Sequence, residues 1–131
     1  MAGFLFFPYN KIMNFRTVTL EAKDVPSTVS YLSELLELEI LPIGTNEILL
    51  KSDSIEFKVV PGAKTKSRGN TVFDLTVNQV EDLEELSQKA QFLHYRYGEK
   101  CSFSEKFEDD LYKELELSDP DGRVWRFRVC H

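Results

Sequence analysis

The stretch TVTLEAKDV, residues 17–25, has a counterpart in VFDLTVNQV, residues 72–80. In both stretches apolar residues occupy every second position, which is the pattern of a half-buried strand. The matching apolar residues are Val18, Leu20 and Ala22 in the first stretch and Phe73, Leu75 and Val77 in the second. The match predicts an internal repeat, with one of these strands at the start of each copy.

Each predicted strand leads into a segment with helical periodicity. VPSTVSYLSELLEL (25–38) has Pro26 in its first turn, where the missing N–H group costs no hydrogen bond. VEDLEELSQKAQFL (80–93) carries its acidic residues early, where they interact favourably with the helix dipole. Each copy is therefore predicted to continue from a strand into an amphipathic helix.

The repeat also has a second half. IEFKVV (55–60) resembles WRFRVC (125–130), and this match pairs Glu56 with Arg126. Two shorter strands are predicted before each of these segments. They are EILPIG (39–44) and NEILLKS (46–52) in the first copy, and CSFSEKF (101–107) and YKELELS (112–118) in the second. Each copy is thus predicted to have the order strand, helix, strand, strand, strand.

The repeat defines the expected domain organisation. We expect an N-terminal extension over residues 1–12 and a single domain over 13–131, with Met13 as a candidate for the true start. Within the domain, module one covers 14–60, a linker rich in Gly, Pro, Ser and Lys covers 61–70, and module two covers 71–130. The apolar piece FLFF in the extension is too short to span a membrane.

Charge and cysteine content restrict the partners and the location. The 131-residue chain has a formal net charge of −6, which disfavours nucleic acids and anionic membrane surfaces as general partners. Cys101 and Cys130 have no CxxC spacing, and with two histidines they form no zinc pattern. We expect free thiols, no nucleic-acid partner, no membrane association and a cytoplasmic location.

A tandem pair of βαβββ units, with DPDG (119–122) before the final strand, resembles the vicinal oxygen chelate superfamily. This group includes glyoxalases, bleomycin-resistance proteins and extradiol dioxygenases, and the resemblance covers residues 14–130. It implies an α+β fold in which two tandem βαβββ modules form curled mixed sheets around a shared cavity, with the helices on the outer faces. It also implies a homodimer.

In catalytic members, the resemblance implies a divalent metal bound by His on the first strands and Glu on the last strands. The corresponding positions in this chain are Thr17, Glu56, Val72 and Arg126. Only Glu56 is a good ligand, and the permanent cation Arg126 repels a divalent ion at close range. We therefore expect no metal, no cofactor and no catalytic residue. Whether the chain is an enzyme stays open, with a non-enzyme favoured.

Strand alternation assigns the last strand's side chains to two faces. Trp125 and Phe127 are expected against the helix, and the intervening arginines are expected on the concave face. The candidate ligand-binding residues in the same phase are Thr17, Thr19, Glu56, Lys58, Asp74, Arg126 and Arg128. We hypothesise that Arg126 lies near Glu56, so that a guanidinium replaces the metal. The alternative is a solvated face whose ion pairs imply no ligand.

The second copy carries an aromatic-rich insertion near residues 94–110, which includes Tyr95, Tyr97 and Phe103. An insertion of this kind can cap a cavity as a lid, or it can pack against a neighbouring subunit. The sequence supports both interpretations equally.

The favoured function is a metal-free protein, similar to glyoxalase and bleomycin-resistance proteins, that binds a small molecule in the concave cavity. Lys58, Arg126 and Arg128 favour an anionic group on that ligand. Two alternatives stay open. One is a dimerising scaffold with a closed cavity. The other is a metal-dependent lyase or isomerase of the glyoxalase type, which requires a different strand register.

Overall fold

The computed structural model describes residues 16–62, 71–98, 101–108 and 111–129. The expected extension, Met13, most of the predicted linker, Cys130 and parts of the 94–110 insertion lie outside the described residues. Within them, neither helix is long and apolar enough to cross a membrane.

The first module forms a four-stranded mixed sheet. Its elements are β1 (Val18–Ala22), α1 (Val25–Leu36), β2 (Glu39–Gly44), β3 (Glu47–Lys51) and β4 (Glu56–Pro61). The strand order is β1-β4-β3-β2, with β1 parallel to β4 and the other pairs antiparallel. The first strand therefore lies beside the last, which brings residues far apart in sequence to neighbouring positions.

The second module repeats this topology. Its elements are β5 (Val72–Val77), α2 (Val80–Tyr97), β6 (Phe103–Glu108), β7 (Leu111–Ser118) and β8 (Val124–Val129). The strand order is β5-β8-β7-β6, again with one parallel pair. The predicted α+β fold with two tandem βαβββ modules is confirmed.

Both helices begin where the sequence predicts, but α1 ends at Leu36 rather than at residue 38, and α2 continues to Tyr97 rather than ending at residue 93. Pro26 lies in the first turn of α1, and Glu37 closes this helix in the left-handed conformation with its N–H bonded to the Ser33 carbonyl. At the start of α2, Gln79 and Asp82 form a reciprocal capping box. These caps satisfy backbone groups that have no partner inside the helix.

The strand register corrects one detail of the predicted repeat. Val18 on β1 pairs with Phe57 on β4, whereas Phe73 on β5 pairs with Trp125 on β8. Because Val18 and Phe73 are equivalent, the counterpart of Trp125 is Phe57, and the predicted counterpart Ile55 is wrong by two residues. A shift of two residues leaves the apolar alternation unchanged, so the sequence pattern cannot detect it.

The same shift changes which residue of the first module is equivalent to Arg126. Asp74 pairs with Arg126 on β5–β8, and the equivalent pair on β1–β4 is Thr19 with Lys58. Lys58, rather than Glu56, is therefore the structural counterpart of Arg126.

The two modules share one hydrophobic core. Trp125 is fully buried, as predicted, and its ring lies 5.5 Å from the ring of Phe57 in the other module. The rings of Trp125 and Phe73 stack at a centroid distance of 4.3 Å. The helices also contact one another, because the rings of Tyr31 on α1 and Tyr97 on α2 meet edge to face at 5.7 Å.

Candidate functional site

A cleft of about 470 Å³ opens where residues of β1 and β4 meet residues of β5 and β8. Its volume lies within the range of small-molecule sites, roughly 300–1,000 Å³. The first wall consists of residues 16–18 and 52–57, and the second wall consists of residues 73–75 and Trp125. Each module thus contributes one wall of the cleft.

The cleft has an apolar lining with an aromatic centre. The apolar side chains of the lining are Val18, Ile55, Phe57, Phe73, Leu75 and Trp125. Of the three aromatic rings, that of Phe73 is half-buried, whereas Phe57 and Trp125 are buried behind it. The stacking of Phe73 on Trp125, with ring planes 23° apart, holds one aromatic face at the cleft.

Thr17 and Glu56 form the polar contact of the first wall. Thr17 precedes β1 and Glu56 begins β4, so the parallel pairing of these strands places the two side chains together. The Thr17 hydroxyl donates a hydrogen bond of 2.5 Å to Glu56 Oε2. Within the described part of the chain, Glu56 Oε1 has no protein hydrogen-bond partner. That oxygen is available to accept a hydrogen bond from a ligand.

The charges that line the cleft are mainly negative. Asp53, Glu56 and Asp74 are opposed by the single guanidinium of Arg16. Neither Arg16 nor Asp53 has an ion-pair partner within 4.0 Å among the described residues. Asp74 is paired with Arg126, so Asp53 and Glu56 against Arg16 leave a small excess of negative charge, which favours ligands with hydrogen-bond donors or a positive charge.

Arg126 lies in an ion-pair network on the face of the second sheet opposite Trp125 and Phe127. Its Nη2 lies 3.0 Å from Glu116 Oε2, its Nη1 lies 3.4 Å from Asp74 Oδ1, and its Nε lies 3.5 Å from Glu114 Oε2. Arg128 Nε lies 3.3 Å from Glu114 Oε1. The hydrogen bond with Glu116, supported by the nearby carboxylates, raises the pKa of Arg126 above its ordinary value. Three carboxylates therefore engage these two arginines.

The hypothesised contact between Arg126 and Glu56 is wrong: among the described residues, these two side chains form no ion pair within 4.0 Å. Arg126 instead faces Glu116, its partner across the β7–β8 ladder, and Arg128 likewise faces Glu114. The sequence analysis missed both glutamates. Alternation in YKELELS could have revealed them, because it places two acids on the same face as the arginines.

The seven predicted ligand-binding residues do not all line one site. Thr17, Glu56 and Asp74 line the cleft. Thr19 lies instead at a smaller cavity of about 320 Å³ between β1 and β5. Lys58 pairs with Glu47 on the first sheet at 3.8 Å. The remaining two residues are the arginines of the network on the second sheet.

The residues at the expected metal positions do not fit a divalent ion. The Thr17 hydroxyl bonds to Glu56, Val72 offers no ligand atom, and Arg126 is cationic. Nowhere in the described ranges do three or more His, Cys, Asp or Glu side chains form a group that could hold a metal. A divalent ion of the kind that the resemblance implies requires several oxygen or imidazole ligands.

A second polar cluster, which the sequence analysis treated only as a turn, surrounds the buried Asp119. Its Oδ2 accepts hydrogen bonds from Trp125 Nε1 at 2.9 Å and from Arg123 Nη1 at 3.1 Å. Its Oδ1 accepts from the backbone N–H groups of Asp121 and Arg123. A buried carboxylate with this many donors holds the turn in one conformation.

The same turn binds the first module. Arg123 Nη2 donates to the carbonyl of Glu21 on β1. Asp121 accepts from the backbone N–H of Lys23 at 2.9 Å and from the hydroxyl of Thr28 on α1 at 2.5 Å. We call Asp119, Asp121 and Arg123 the turn clamp, because they join the last turn of module two to β1 and α1 of module one.

Tyr31 reinforces this junction from α1. Its hydroxyl donates to the carbonyl of Ser118, the residue before the turn clamp, at 3.3 Å. Burial, followed by the influence of Cys101 and Asp119, raises the pKa of Tyr31 above its ordinary value. The hydroxyl is therefore held in its neutral, hydrogen-bonding form.

The described residues of the aromatic insertion do not cover the cleft. Residues of the insertion extend α2 to Tyr97 and begin β6 at Phe103, while the Tyr95 side chain is 87% exposed. The described residues that line the cleft include none from 94–108. The lid interpretation therefore has no support from these residues.

No protein-family model matches the chain, and no curated protein has a significant sequence match to it. Solved structures match its fold. The fosfomycin resistance protein FosX from Listeria monocytogenes has a TM-score of 0.73 at 15% identity, covering 92% of this chain and 96% of that one. FosX from Mesorhizobium loti has a TM-score of 0.74 at 11% identity, with coverages of 92% and 95%.

An integron cassette protein from the mobile metagenome of V. cholerae also matches, with a TM-score of 0.64 and 14% identity over 92% of this chain and 98% of that one. One Listeria FosX structure contains Mn(II) and 1S,2S-dihydroxypropylphosphonic acid. At these identities the likeness extends to the fold, and the chemistry must be argued from this chain's own residues.

Proposed function

Because the chain has the fold of the vicinal oxygen chelate superfamily, we propose that it binds a small molecule in the cleft between its two modules without a divalent metal. The observation that carries the proposal is the Glu56 carboxylate, oriented by Thr17 beside the half-buried ring of Phe73. A concave apolar site with a few oriented polar groups is the usual form of a small-molecule site.

The ligand that best fits this lining has an apolar or aromatic body and a group that donates hydrogen bonds or carries a positive charge. Glu56 Oε1 accepts from that group, and Phe73 packs against the body. This differs from the anionic ligand expected from the sequence. Arg126 and Arg128, which motivated that expectation, interact with carboxylates of their own sheet.

The cleft residues of this proposal are Thr17, Glu56 and Asp74. The other four predicted residues have no place in it, since Lys58, Arg126 and Arg128 are paired with acids of their own sheets and Thr19 lies at the smaller cavity. Binding without turnover remains the favoured function, and a cytoplasmic location remains a prediction.

Self-association is a second candidate function, and the exposed edge of the first sheet supports it. Among the described strands, β2 forms that edge, and its Ile40 and Ile43 are 47% and 49% exposed. Exposed apolar edge strands favour pairing with another chain. We propose that a homodimer uses this edge. Sedimentation equilibrium of the wild-type and Ile43→Lys proteins tests this proposal. A monomeric wild-type protein at high micromolar concentration contradicts it.

The binding proposal can be tested with three compounds of one shape and different charge. Benzylamine, benzyl alcohol and benzoate share an aromatic body, and Trp125, the only tryptophan, reports on the cleft by fluorescence. We expect a saturable fluorescence change, with benzylamine binding most tightly and benzoate most weakly. Tightest binding of benzoate contradicts the proposed ligand chemistry, and no saturable binding of any of the three contradicts this cleft as a site for such compounds.

A further inference from the structure

We propose that the turn clamp positions both walls of the cleft, so that Asp121 and Thr28 set the ligand affinity of a site that they do not contact. Hydrogen bonds of the turn clamp connect the two walls whether or not a ligand binds, whereas the effect on ligand affinity rests on the proposed function.

The first wall connects to the turn clamp along β1. The clamp binds the carbonyl of Glu21 and the backbone N–H of Lys23 at the end of this strand. At its other end lie Thr17 and Val18, which line the cleft. Four residues of extended chain separate Glu21 from Thr17, a distance of about 13 Å. Because β1 pairs with β4 along its length, we expect a displacement at one end of the strand to reach the other end.

The second wall connects to the clamp through an indole. Asp119 Oδ2 accepts the Trp125 Nε1 hydrogen bond, and the Trp125 ring stacks on Phe73, the aromatic residue at the cleft surface. Trp125 and Asp119 are both fully buried, so neither can exchange this bond for one with water. The orientation of the aromatic wall therefore depends on where the clamp holds Asp119.

Thr28 and Asp121 connect these two branches. The Thr28 hydroxyl is fully buried on α1 and donates to Asp121 Oδ2, while Arg123 Nη1 contacts both Asp121 and Asp119. A change at Thr28 in module one can therefore reach the indole of module two through two carboxylates and one guanidinium. A network of this kind has a defined arrangement only when all its donors and acceptors are satisfied.

The test uses the full-length protein and the single indole N–H resonance, which belongs to Trp125. Heteronuclear NMR spectra are recorded for the wild type and for Thr28→Val, which removes the hydroxyl with little change of shape. Thr28→Ser retains the hydroxyl and serves as the rescue variant. Ser27→Ala is the matched control, because among the described residues the Ser27 hydroxyl bonds only to Asp24, which is the N-cap residue of the same helix.

We expect Thr28→Val to shift the Trp125 indole resonance and the amide resonances of Thr17 and Val18, whereas Ser27→Ala leaves all three in place and Thr28→Ser restores them. An unshifted indole in folded Thr28→Val protein overturns the proposal whatever the ligand. If Thr28→Val fails to fold, the same spectra of Asp121→Asn decide, with the same expected shifts.

Binding of benzylamine provides the second readout. We expect Thr28→Val to weaken it by about three- to tenfold, as for changes within a coupling network, and Thr28→Ser to retain it. Unchanged affinity despite a shifted indole overturns the positioning role. If the wild type does not bind benzylamine, the proposed ligand class fails, and the resonances of the two walls alone decide whether the clamp joins them.

Discussion

The Thr17 hydroxyl lies 2.5 Å from Glu56 Oε2 and joins the residue before the first strand to the first residue of the fourth. The parallel pairing of β1 and β4 brings these residues together over 39 positions of sequence. This hydrogen bond leaves the other carboxylate oxygen of Glu56 accessible at the cleft. Replacement of Glu56 is therefore the most direct perturbation of the proposed site.

Glu56→Gln keeps the shape of the side chain and its bond to Thr17 but removes the charge. We expect this variant to bind benzylamine about tenfold more weakly, because a hydrogen bond to a charged group contributes roughly 1–1.5 kcal/mol more than the neutral hydrogen bond that Gln can still accept. Trp125 fluorescence titration measures the affinity. Glu84→Gln is the matched control, since Glu84 is an exposed acid of α2. Equal affinity of Glu56→Gln and Glu84→Gln refutes the role of Glu56.

Arg128→Gln tests whether the arginine strand belongs to a solvated face or to a ligand site. Arg128 is paired with Glu114, but its side chain is 54% exposed, so we expect the free energy of unfolding to fall by less than about 1 kcal/mol. Benzylamine affinity should stay at the wild-type value. Urea denaturation measures the free energy of unfolding, and the fluorescence titration measures the affinity for benzylamine. A large loss of affinity would place Arg128 in the binding site and contradict its assignment to a solvated ion-pair network.

Trp125→Phe removes buried ring volume and leaves Asp119 without one of its donors. We expect the free energy of unfolding to fall by about 2–4 kcal/mol, because a cavity and the loss of one buried hydrogen bond to a carboxylate both contribute. Urea denaturation followed by far-UV circular dichroism measures the loss without the tryptophan signal. Tyr95→Phe, at an 87% exposed position, should change stability by no more than about 0.5 kcal/mol. Similar losses in the two variants contradict this account.

The contact between the helices predicts a weak pH dependence of stability. Lys89 donates a hydrogen bond to Glu37, and this bond lowers the pKa of Glu37 below its ordinary value of 4.5. A carboxyl with a lowered pKa in the folded state stabilises the protein above its unfolded-state pKa, and this contribution disappears as the pH falls through the folded-state pKa. The contribution is small because Glu37 is exposed and screened by salt.

We therefore expect Lys89→Gln to lose stability at pH 6 and to approach the wild type as the pH falls below the ordinary range of glutamate. Thermal unfolding at low salt between pH 6 and pH 3 measures the difference. Lys51→Gln, at an exposed lysine of the first sheet, is the control. A Lys89→Gln difference that grows as the pH falls has the wrong sign for this interaction.

Local patterns in the chain were sufficient for the fold class. Alternation in residues 17–25 and 72–80 predicted β1 and β5, and Pro26 and the early acids of α2 predicted where the helices begin. The alternation of apolar residues and arginines in the last strand likewise predicted that Trp125 is buried. These features depend on side-chain periodicity and backbone capping, which act over a few residues and are visible without tertiary structure.

Tertiary structure decided the partners of the polar side chains. Arg126 contacts Glu116 rather than Glu56 because the strand register sets which charged side chains face each other. The apolar pattern does not reveal that register, since a shift by two residues leaves the alternation unchanged. The contact of Asp121 with Thr28 spans 93 positions and exists only because the last turn packs on α1. Hydrogen bonds act over about 3 Å, so such contacts depend on the packing of distant elements, which no local pattern encodes.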